Sequence, residues 1–97
     1  MQRLESPGAL AHVMSRGIEG RAVFMDDADR CEFLRRFVLH RAQTGFKCLA
    51  WCLMPTHYHL VVRTTERPLS SLMRPLNSGY AAWYNHRRTR RGYVFQD

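Results

Sequence analysis

The fold is decided by a stretch just past the middle of the chain, Trp51-Cys52-Leu53-Met54-Pro55-Thr56-His57-Tyr58-His59-Leu60-Val61-Val62-Arg63. An apolar run stops at Pro55, a short turn follows, and a second run carries two histidines. Successive side chains of a strand point to opposite faces, so His57 and His59 share one face, about 7 Å apart. Two imidazoles at that spacing can each give one ring nitrogen to a single divalent ion. The stretch therefore predicts a hairpin with a candidate metal-binding pair.

Taken alone, a His-x-His pair is a weak metal signal, because surface or hydrogen-bonded histidines are commoner. A second interpretation is a structural zinc site, in which Cys48 and Cys52 share one strand face and join His57 and His59. The spacing differs from that of known short zinc motifs, and Cys48 lies in an apolar run. Buried, reduced thiols are therefore the favoured interpretation of the two cysteines.

The remaining sequence alternates strand-like and helix-like patterns. The predicted elements are a strand at 9–15, a glycine turn, a minor strand at 22–25, a helix at 28–43, a buried strand at 46–53, the histidine strand at 57–64 and a second helix beginning near 70. Asp26 or Asp27 should cap the first helix, and Gly45 should end it. Pro75 costs about 3 kcal/mol inside a helix, so the second helix should either start again or kink there.

This order of strand, helix, strand, strand and helix is most of a ferredoxin-like β-α-β-β-α-β unit. We expect a single α+β domain over residues 1–97, with an antiparallel sheet and both helices on one of its faces. The fourth strand is missing or incomplete, so one sheet edge should be unpaired. A homodimer through that open edge is an expected consequence.

The chain is strongly basic, with a formal net charge of +7 and a pI near 10.2. This balance favours a polyanionic partner. Six arginines and no acidic residue lie between positions 67 and 96. Four of these arginines cluster before two aromatic residues, a pattern that suits phosphates and unstacked bases and exceeds what a helix dipole requires. The predicted DNA contacts are Arg16, Arg87, Arg88, Arg90 and Arg91.

Several classes of protein are poor matches. No apolar run reaches the about 18 residues of a membrane span, and residues 1–8 lack the apolar stretch of a signal peptide. The three cysteines form no Cys-x-x-Cys pair, so we expect reduced thiols, a cytoplasmic location and no membrane partner. No P-loop, Ser-His-Asp or Cys-His arrangement is evident, and no carboxylate pair lies near the histidines.

Five segments together resemble the single-tyrosine HUH transposases, most closely the REP-associated tyrosine transposases. They are His12-Val13-Met14-Ser15-Arg16-Gly17, Phe24-Met25-Asp26-Asp27, the hairpin stretch quoted above, Leu76-Asn77-Ser78-Gly79-Tyr80-Ala81 with Tyr84-Asn85, and Gly92-Tyr93-Val94-Phe95-Gln96. The resemblance implies insertion-sequence transposition on single-stranded or hairpin DNA. It also implies a Mg²⁺ or Mn²⁺ ion at His57 and His59, and a tyrosine that attacks the scissile phosphate to give a 5′-phosphotyrosine.

The chain departs from this pattern at the nucleophile. In such transposases the tyrosine lies on a later helix, four residues before a glutamine or asparagine ligand, and no tyrosine here has that spacing. We therefore expect the nucleophile to lie beyond Asp97 and this chain to be an inactive N-terminal fragment. Tyr80 is the fallback nucleophile, although a structural role suits its position better. The alternatives are a non-catalytic nucleic-acid-binding module of the same fold and the small zinc-stabilised domain.

Overall fold

A computed structural model describes residues 7–96 of the chain. Its elements are β1 (Leu10–Arg16), a short 3-10 turn (Ile18–Gly20), α1 (Asp27–Thr44), β2 (Lys47–Met54), β3 (His57–Arg63) and α2 (Ser70–Arg88). In the part of the chain that the structure describes, the sheet has three antiparallel strands in the order β1-β3-β2. The predicted α+β class and the order of strand, helix, strand, strand and helix are confirmed, and the histidine strand β3 is the central strand.

Both helices begin close to where the sequence predicts, and α1 also ends there. The Asp26 side chain accepts a hydrogen bond from the Asp29 amide at 3.0 Å and caps α1, and Gly45 ends it with a φ of 83°. Gly45 suits this left-handed position because it has no Cβ. α2 runs through Pro75 without a break, so the predicted alternative of a new helix starting there is wrong. The prolyl ring only removes one amide from the second turn of α2.

The core lies between the two helices and one face of the sheet. β3 buries Tyr58, Leu60 and Val62 on this face, while its histidines lie on the other. Phe33 of α1 contacts the ring of Tyr58 at a centroid distance of 4.6 Å and that of Tyr80 of α2 at 5.5 Å. Burial of aromatic side chains from three elements holds the layers together. The second face of the sheet therefore carries no helix from residues 7–96.

Two predicted strands differ from the structure. Residues 22–25 form no strand; instead Val23 and Phe24 enter the core while their amides donate to the Pro55 carbonyl at 2.7 and 3.2 Å. β2 is not a buried strand, because it lies at the sheet edge and α1 covers only part of it. Leu49 and Trp51 on β2 remain 52% and 53% exposed. An edge strand and a buried strand can share the same apolar composition.

Residues near position 95 lie beside the end of β1 but form only one isolated bridge. Phe95 pairs with Gly17 in an isolated antiparallel bridge. The Ile18 amide donates to Val94 O at 2.9 Å, and the Gln96 amide donates to Arg16 O at 2.8 Å. Within residues 7–96 the fourth strand is thus incomplete, in accord with the sequence prediction. No helix in this range is long and apolar enough to cross a membrane.

Candidate metal and DNA site

The open face of the sheet brings three imidazoles together. His57 and His59 of β3 lie side by side, with ring centroids 4.9 Å apart and planes at 83°. β1 adds His12, whose Nε2 lies 2.9 Å from His59 Nδ1. Strand pairing also sets Arg16 of β1 opposite His57 and Met14 opposite His59. The predicted pair is therefore half-buried on a basic surface that β1 and β3 form together.

The turn before β3 fixes the position of the histidine pair. The Gly17 amide donates to the Thr56 carbonyl at 2.8 Å, and Pro55 O accepts the two amides of residues 23 and 24 described above. A Cβ on Gly17 would lie 2.0 Å from Arg21 O, so only glycine fits this approach. The hairpin is thus tied to the loop between β1 and α1 by main-chain hydrogen bonds. These bonds limit how far the two imidazoles can move relative to β1.

In both histidines of the pair, Nδ1 contacts a polar atom of the protein and Nε2 does not. Thr56 Oγ1 lies 3.1 Å from His57 Nδ1, and His12 Nε2 contacts His59 Nδ1. Neither Nε2 atom has a hydrogen-bond partner among residues 7–96. Desolvation, helped by the neighbouring His57, His12 and Arg16, holds the pKa of His59 below its usual value. A depressed pKa favours the neutral imidazole, which is the form that binds metal.

The arrangement suits a divalent ion that takes only two protein nitrogens. In the described range, no group of three or more His, Cys, Asp or Glu side chains is placed to hold a metal. A closed structural zinc site needs four protein ligands, which are not assembled here. Mg²⁺ and Mn²⁺ accept six ligands and commonly keep several waters or phosphate oxygens. The two imidazoles could therefore supply two ligands of a divalent ion and would leave its other positions open.

One family model matches all of the described residues. It is the model described as "Transposase IS200 like", and it matches residues 7–96. The chain belongs to the IS200-like transposase family. No curated protein matches the chain. Family membership confirms the resemblance predicted from the sequence and assigns this IS200-like chain a role in DNA transposition.

The predicted grouping of the two cysteines is wrong. A bulge between Cys48 and Ala50 shifts the register of β2 by one residue. Cys48 consequently pairs with Val62 and packs against the core, whereas Cys52 pairs with His59 on the open face. Partial burial raises the pKa of the Cys48 thiol, which donates to Ala50 O. A bulge of this kind reverses the faces on either side, so the four-ligand zinc site does not form.

Most of the predicted DNA-binding arginines of this transposase chain have protein partners. Arg87 bonds both Asp26 and Asp29, and Arg88 bonds Asp29 through two nitrogens, at 3.0 and 2.5 Å. Arg90 donates to Asn85 Oδ1 and Tyr93 O. Arg91 and Arg16 are exposed, and neither side chain has a partner among residues 7–96. These two arginines are the ones that remain available for phosphate.

The tyrosines divide sharply by exposure. Tyr58, Tyr80 and Tyr84 are buried, and the hydroxyl of Tyr80 donates to Val23 O at 2.5 Å. Desolvation, together with the nearby charge of Asp29, raises the pKa of Tyr80. Tyr93 is 80% exposed and lines a groove of about 700 Å³ between β1 and α2, which His12 also borders. The hydroxyl of Tyr80 is therefore placed as a structural donor on the core side of the sheet.

His12 is the site residue that sequence spacing missed. It lies 47 positions before His59, and only the pairing of β1 with β3 brings the two rings together. Its alternation with Met14 and Arg16 indicates that these three side chains share one face of a strand. That alternation does not indicate which strand lies beside them, because pairing depends on the fold as a whole.

Proposed function

We propose that this IS200-like chain binds single-stranded DNA at the open face of its sheet, with a Mg²⁺ or Mn²⁺ ion held by His57 and His59. One observation carries the proposal. Two adjacent, half-buried imidazoles have unengaged Nε2 atoms on a face that no helix of the described residues covers. A divalent ion bound there would stabilise the negative charge that develops on a phosphate oxygen during strand cleavage.

The chain's own residues supply binding and orientation. Arg16, opposite His57 in the β1–β3 pairing, can neutralise a phosphate beside the metal pair. Arg91 follows the end of α2 and adds a second phosphate contact. The exposed ring of Tyr93 offers a face on which an unpaired base can stack, in the groove that reaches His12. The single-stranded DNA would then cross from the open face of the sheet into this groove.

The described tyrosines do not supply an attacking hydroxyl beside the histidines. Tyr58, Tyr80 and Tyr84 are buried with the core, and Tyr93 has no asparagine or glutamine four residues later. A nucleophile must reach the scissile phosphate, and a buried hydroxyl that is already donating cannot do so. We therefore infer that residues 7–96 bind and orient DNA without forming a phosphotyrosine themselves.

The test is to incubate the chain with hairpin-bearing single-stranded DNA, with and without Mn²⁺. We expect Mn²⁺ to tighten binding in a fluorescence anisotropy titration, and denaturing gels to show no covalent adduct. His57→Ala combined with His59→Ala should abolish the effect of Mn²⁺. An adduct that maps to Tyr80, or to the exposed Tyr93, would overturn the inference about the nucleophile. A DNA affinity that changes neither with Mn²⁺ nor with the double substitution would instead support the non-catalytic nucleic-acid-binding module.

We also propose that the chain forms a homodimer through β2, which is not the edge predicted from the sequence, because the edge left open by the fourth strand is that of β1 and residues near position 95 lie beside it. The outer edge of this strand has no partner strand in the described range, and it exposes Leu49 and Trp51 beside a small groove against α1. An exposed apolar edge strand is prone to pair with another chain. Analytical ultracentrifugation should show a dimer that Trp51→Lys weakens. Leu39→Lys, at a comparably exposed site on α1, is the matched control, and equal effects of both substitutions would contradict this interface.

A further inference from the structure

The two histidines of the pair are held in the same way. Each has its Nδ1 atom against a polar atom of the protein, 3.1 Å from Thr56 Oγ1 for His57 and 2.9 Å from His12 Nε2 for His59. Each also has an Nε2 atom without a partner among residues 7–96. A neutral imidazole carries one proton on one of its two nitrogens, and only the other nitrogen can bind a cation. The partner at Nδ1 therefore decides which nitrogen is available.

The contact between His12 and His59 is a hydrogen bond made edge to edge. Their planes differ by only 8°, and their centroids are 5.1 Å apart. Rings stacked face to face at that centroid distance could not bring two nitrogens to 2.9 Å, so the rings lie nearly in one plane with the nitrogens pointing at each other. One of these two nitrogens must carry the shared proton, and the other must accept it.

The direction of this bond has a chemical consequence. If His59 Nδ1 accepts, its proton sits on Nε2, and that nitrogen cannot bind a cation. If His59 Nδ1 donates, Nε2 keeps its lone pair on the open face. His12 can accept at Nε2 when its own proton is on Nδ1, an atom that has no partner among residues 7–96. Histidines that bind metals commonly donate their other N–H to a neighbouring acceptor, and the second arrangement satisfies this rule.

Thr56 can serve His57 in the same manner. Its hydroxyl oxygen has two lone pairs and can accept from an Nδ1–H group. The residue is anchored because its carbonyl accepts the Gly17 amide at 2.8 Å. The hydroxyl therefore belongs to the same rigid turn that fixes the start of β3. The acceptor for His59 thus comes from β1, and the acceptor for His57 comes from the β2–β3 turn.

We propose that His12 and Thr56 are positioning residues that accept the Nδ1 protons of His59 and His57 and so direct both Nε2 lone pairs toward one divalent cation. This inference rests on the proposed function, because it concerns the same metal pair. Neither positioning residue touches the cation. Their effect is to select one of two tautomers before the cation arrives. Loss of such an outer partner typically weakens metal binding about 10–100-fold.

Matched pairs of variants separate this role from a structural one. His12→Phe keeps a ring and removes the acceptor, whereas His12→Gln places an amide oxygen near the position of Nε2. Thr56→Val keeps the shape of the side chain and removes the hydroxyl, whereas Thr56→Ser retains it. The first readout is ¹⁵N NMR of the metal-free chain with labelled histidine, which reports the tautomer of each ring. The second is Mn²⁺ affinity measured by calorimetry.

We expect Nδ1–H tautomers at His57 and His59 in the parent chain. His12→Phe should release the tautomer of His59 alone and weaken Mn²⁺ binding about 10–100-fold, and His12→Gln should restore most of both. Thr56→Val should likewise free the tautomer of His57 and weaken Mn²⁺ binding, and Thr56→Ser should keep both close to those of the parent chain. An Nε2–H tautomer of His59 in the parent chain would overturn the proposal. Unchanged Mn²⁺ affinity in both His12→Phe and Thr56→Val would also overturn it. A parent chain with the expected tautomers that binds no Mn²⁺ would overturn the proposed metal site while leaving the tautomer assignment supported.

Discussion

Two polar clusters of this chain differ in whether their hydrogen-bonding atoms have partners within the described residues. Where the start of α1 meets the end of α2, Asp29 is fully buried and both of its oxygens accept hydrogen bonds from Arg88. The same carboxylate also accepts from Arg87 and from the Met25 amide. On the histidine face, His57 and His59 keep one nitrogen each without a partner in the described range. The first cluster is complete within the protein, and the second is completed only by something else.

This difference indicates which basic residues act for stability and which for binding. A buried carboxylate is stable only when its charge is paired and its lone pairs are used. The arginines that satisfy Asp29 are therefore committed to the fold. No buried side-chain nitrogen or oxygen of residues 7–96 lacks a hydrogen-bond partner. Unused capacity is confined to exposed groups such as the Nε2 atoms of the pair, Arg16 and Arg91, which is what a DNA-binding face requires.

The largest expected effect comes from the complete cluster. Asp29→Asn removes the negative charge between Arg87 and Arg88 and should destabilise the fold by about 3 kcal/mol, because it weakens the hydrogen bonds that two charged groups donate to a buried carboxylate. Urea denaturation should show this loss as a lower midpoint. Asp27→Asn is the matched control, because the Asp27 side chain is 97% exposed and pairs only with Arg30. Equal stability of the two variants would contradict the structural role of the buried cluster.

A smaller loss of stability is expected at the core tyrosine. Tyr80→Phe leaves Val23 O without its buried donor and should cost about 1–3 kcal/mol. It should leave DNA affinity and its dependence on Mn²⁺ unchanged, since the hydroxyl lies on the core side of the sheet. Tyr93→Phe is the control for stability, because that ring is 80% exposed. Loss of DNA binding in Tyr80→Phe at full stability would show that this hydroxyl has a direct role in the site.

Local patterns account for the parts of the fold that were predicted correctly. The placement of His57 and His59 on one face follows from alternation along a single strand, and the ends of α1 follow from Asp26 and Gly45. Such patterns do not predict the bulge in β2. One extra residue changes the face of the sheet on which the Cys48 side chain lies, without changing the composition of the strand. The patterns also do not predict the exposure of Trp51, since strand order decides which apolar strand lies at an edge.

Long-range pairing accounts for what the sequence could not show about the site. A run of four arginines is typical of a phosphate-binding surface, yet Asp29, the partner of Arg87, lies 58 positions away. His12 likewise meets His59 across 47 positions. Charge composition measures how many cations a chain has, and only the fold decides which of them are already paired. The predicted DNA contacts at Arg16 and Arg91 therefore carry more weight than those at the other three arginines.

DNA binding should separate the free arginines from the paired ones. Arg91→Ala and Arg16→Ala should each leave stability unchanged and lower the slope of log affinity against log salt by about 0.7, as loss of one phosphate contact to a single strand does. Arg88→Ala should instead destabilise the fold, because it leaves part of Asp29 unpaired. Anisotropy titrations at several salt concentrations and urea denaturation measure the two effects. A normal salt slope in both the Arg91 and the Arg16 variants would contradict the proposed phosphate contacts.

The smallest expected effect is the pH dependence of stability that the histidine face contributes. Desolvation and neighbouring positive charge lower the pKa of His59 from its ordinary value of 6.5. Between that value and the lowered one, the unfolded chain binds more protons than the folded chain, so stability falls as pH falls through this window.

The acidic pairs act in a separate and lower window. Hydrogen bonds from Arg87 lower the pKa of Asp26 below 3.8, and hydrogen bonds from Arg35 and Arg36 lower that of Glu32 below 4.5. Their stabilisation is present above those values and is lost as pH falls through the lowered pKa values. Urea denaturation at a series of pH values should therefore show two declines, and His59→Gln should flatten only the upper one. An unchanged upper decline in this variant would mean that His59 is not its source.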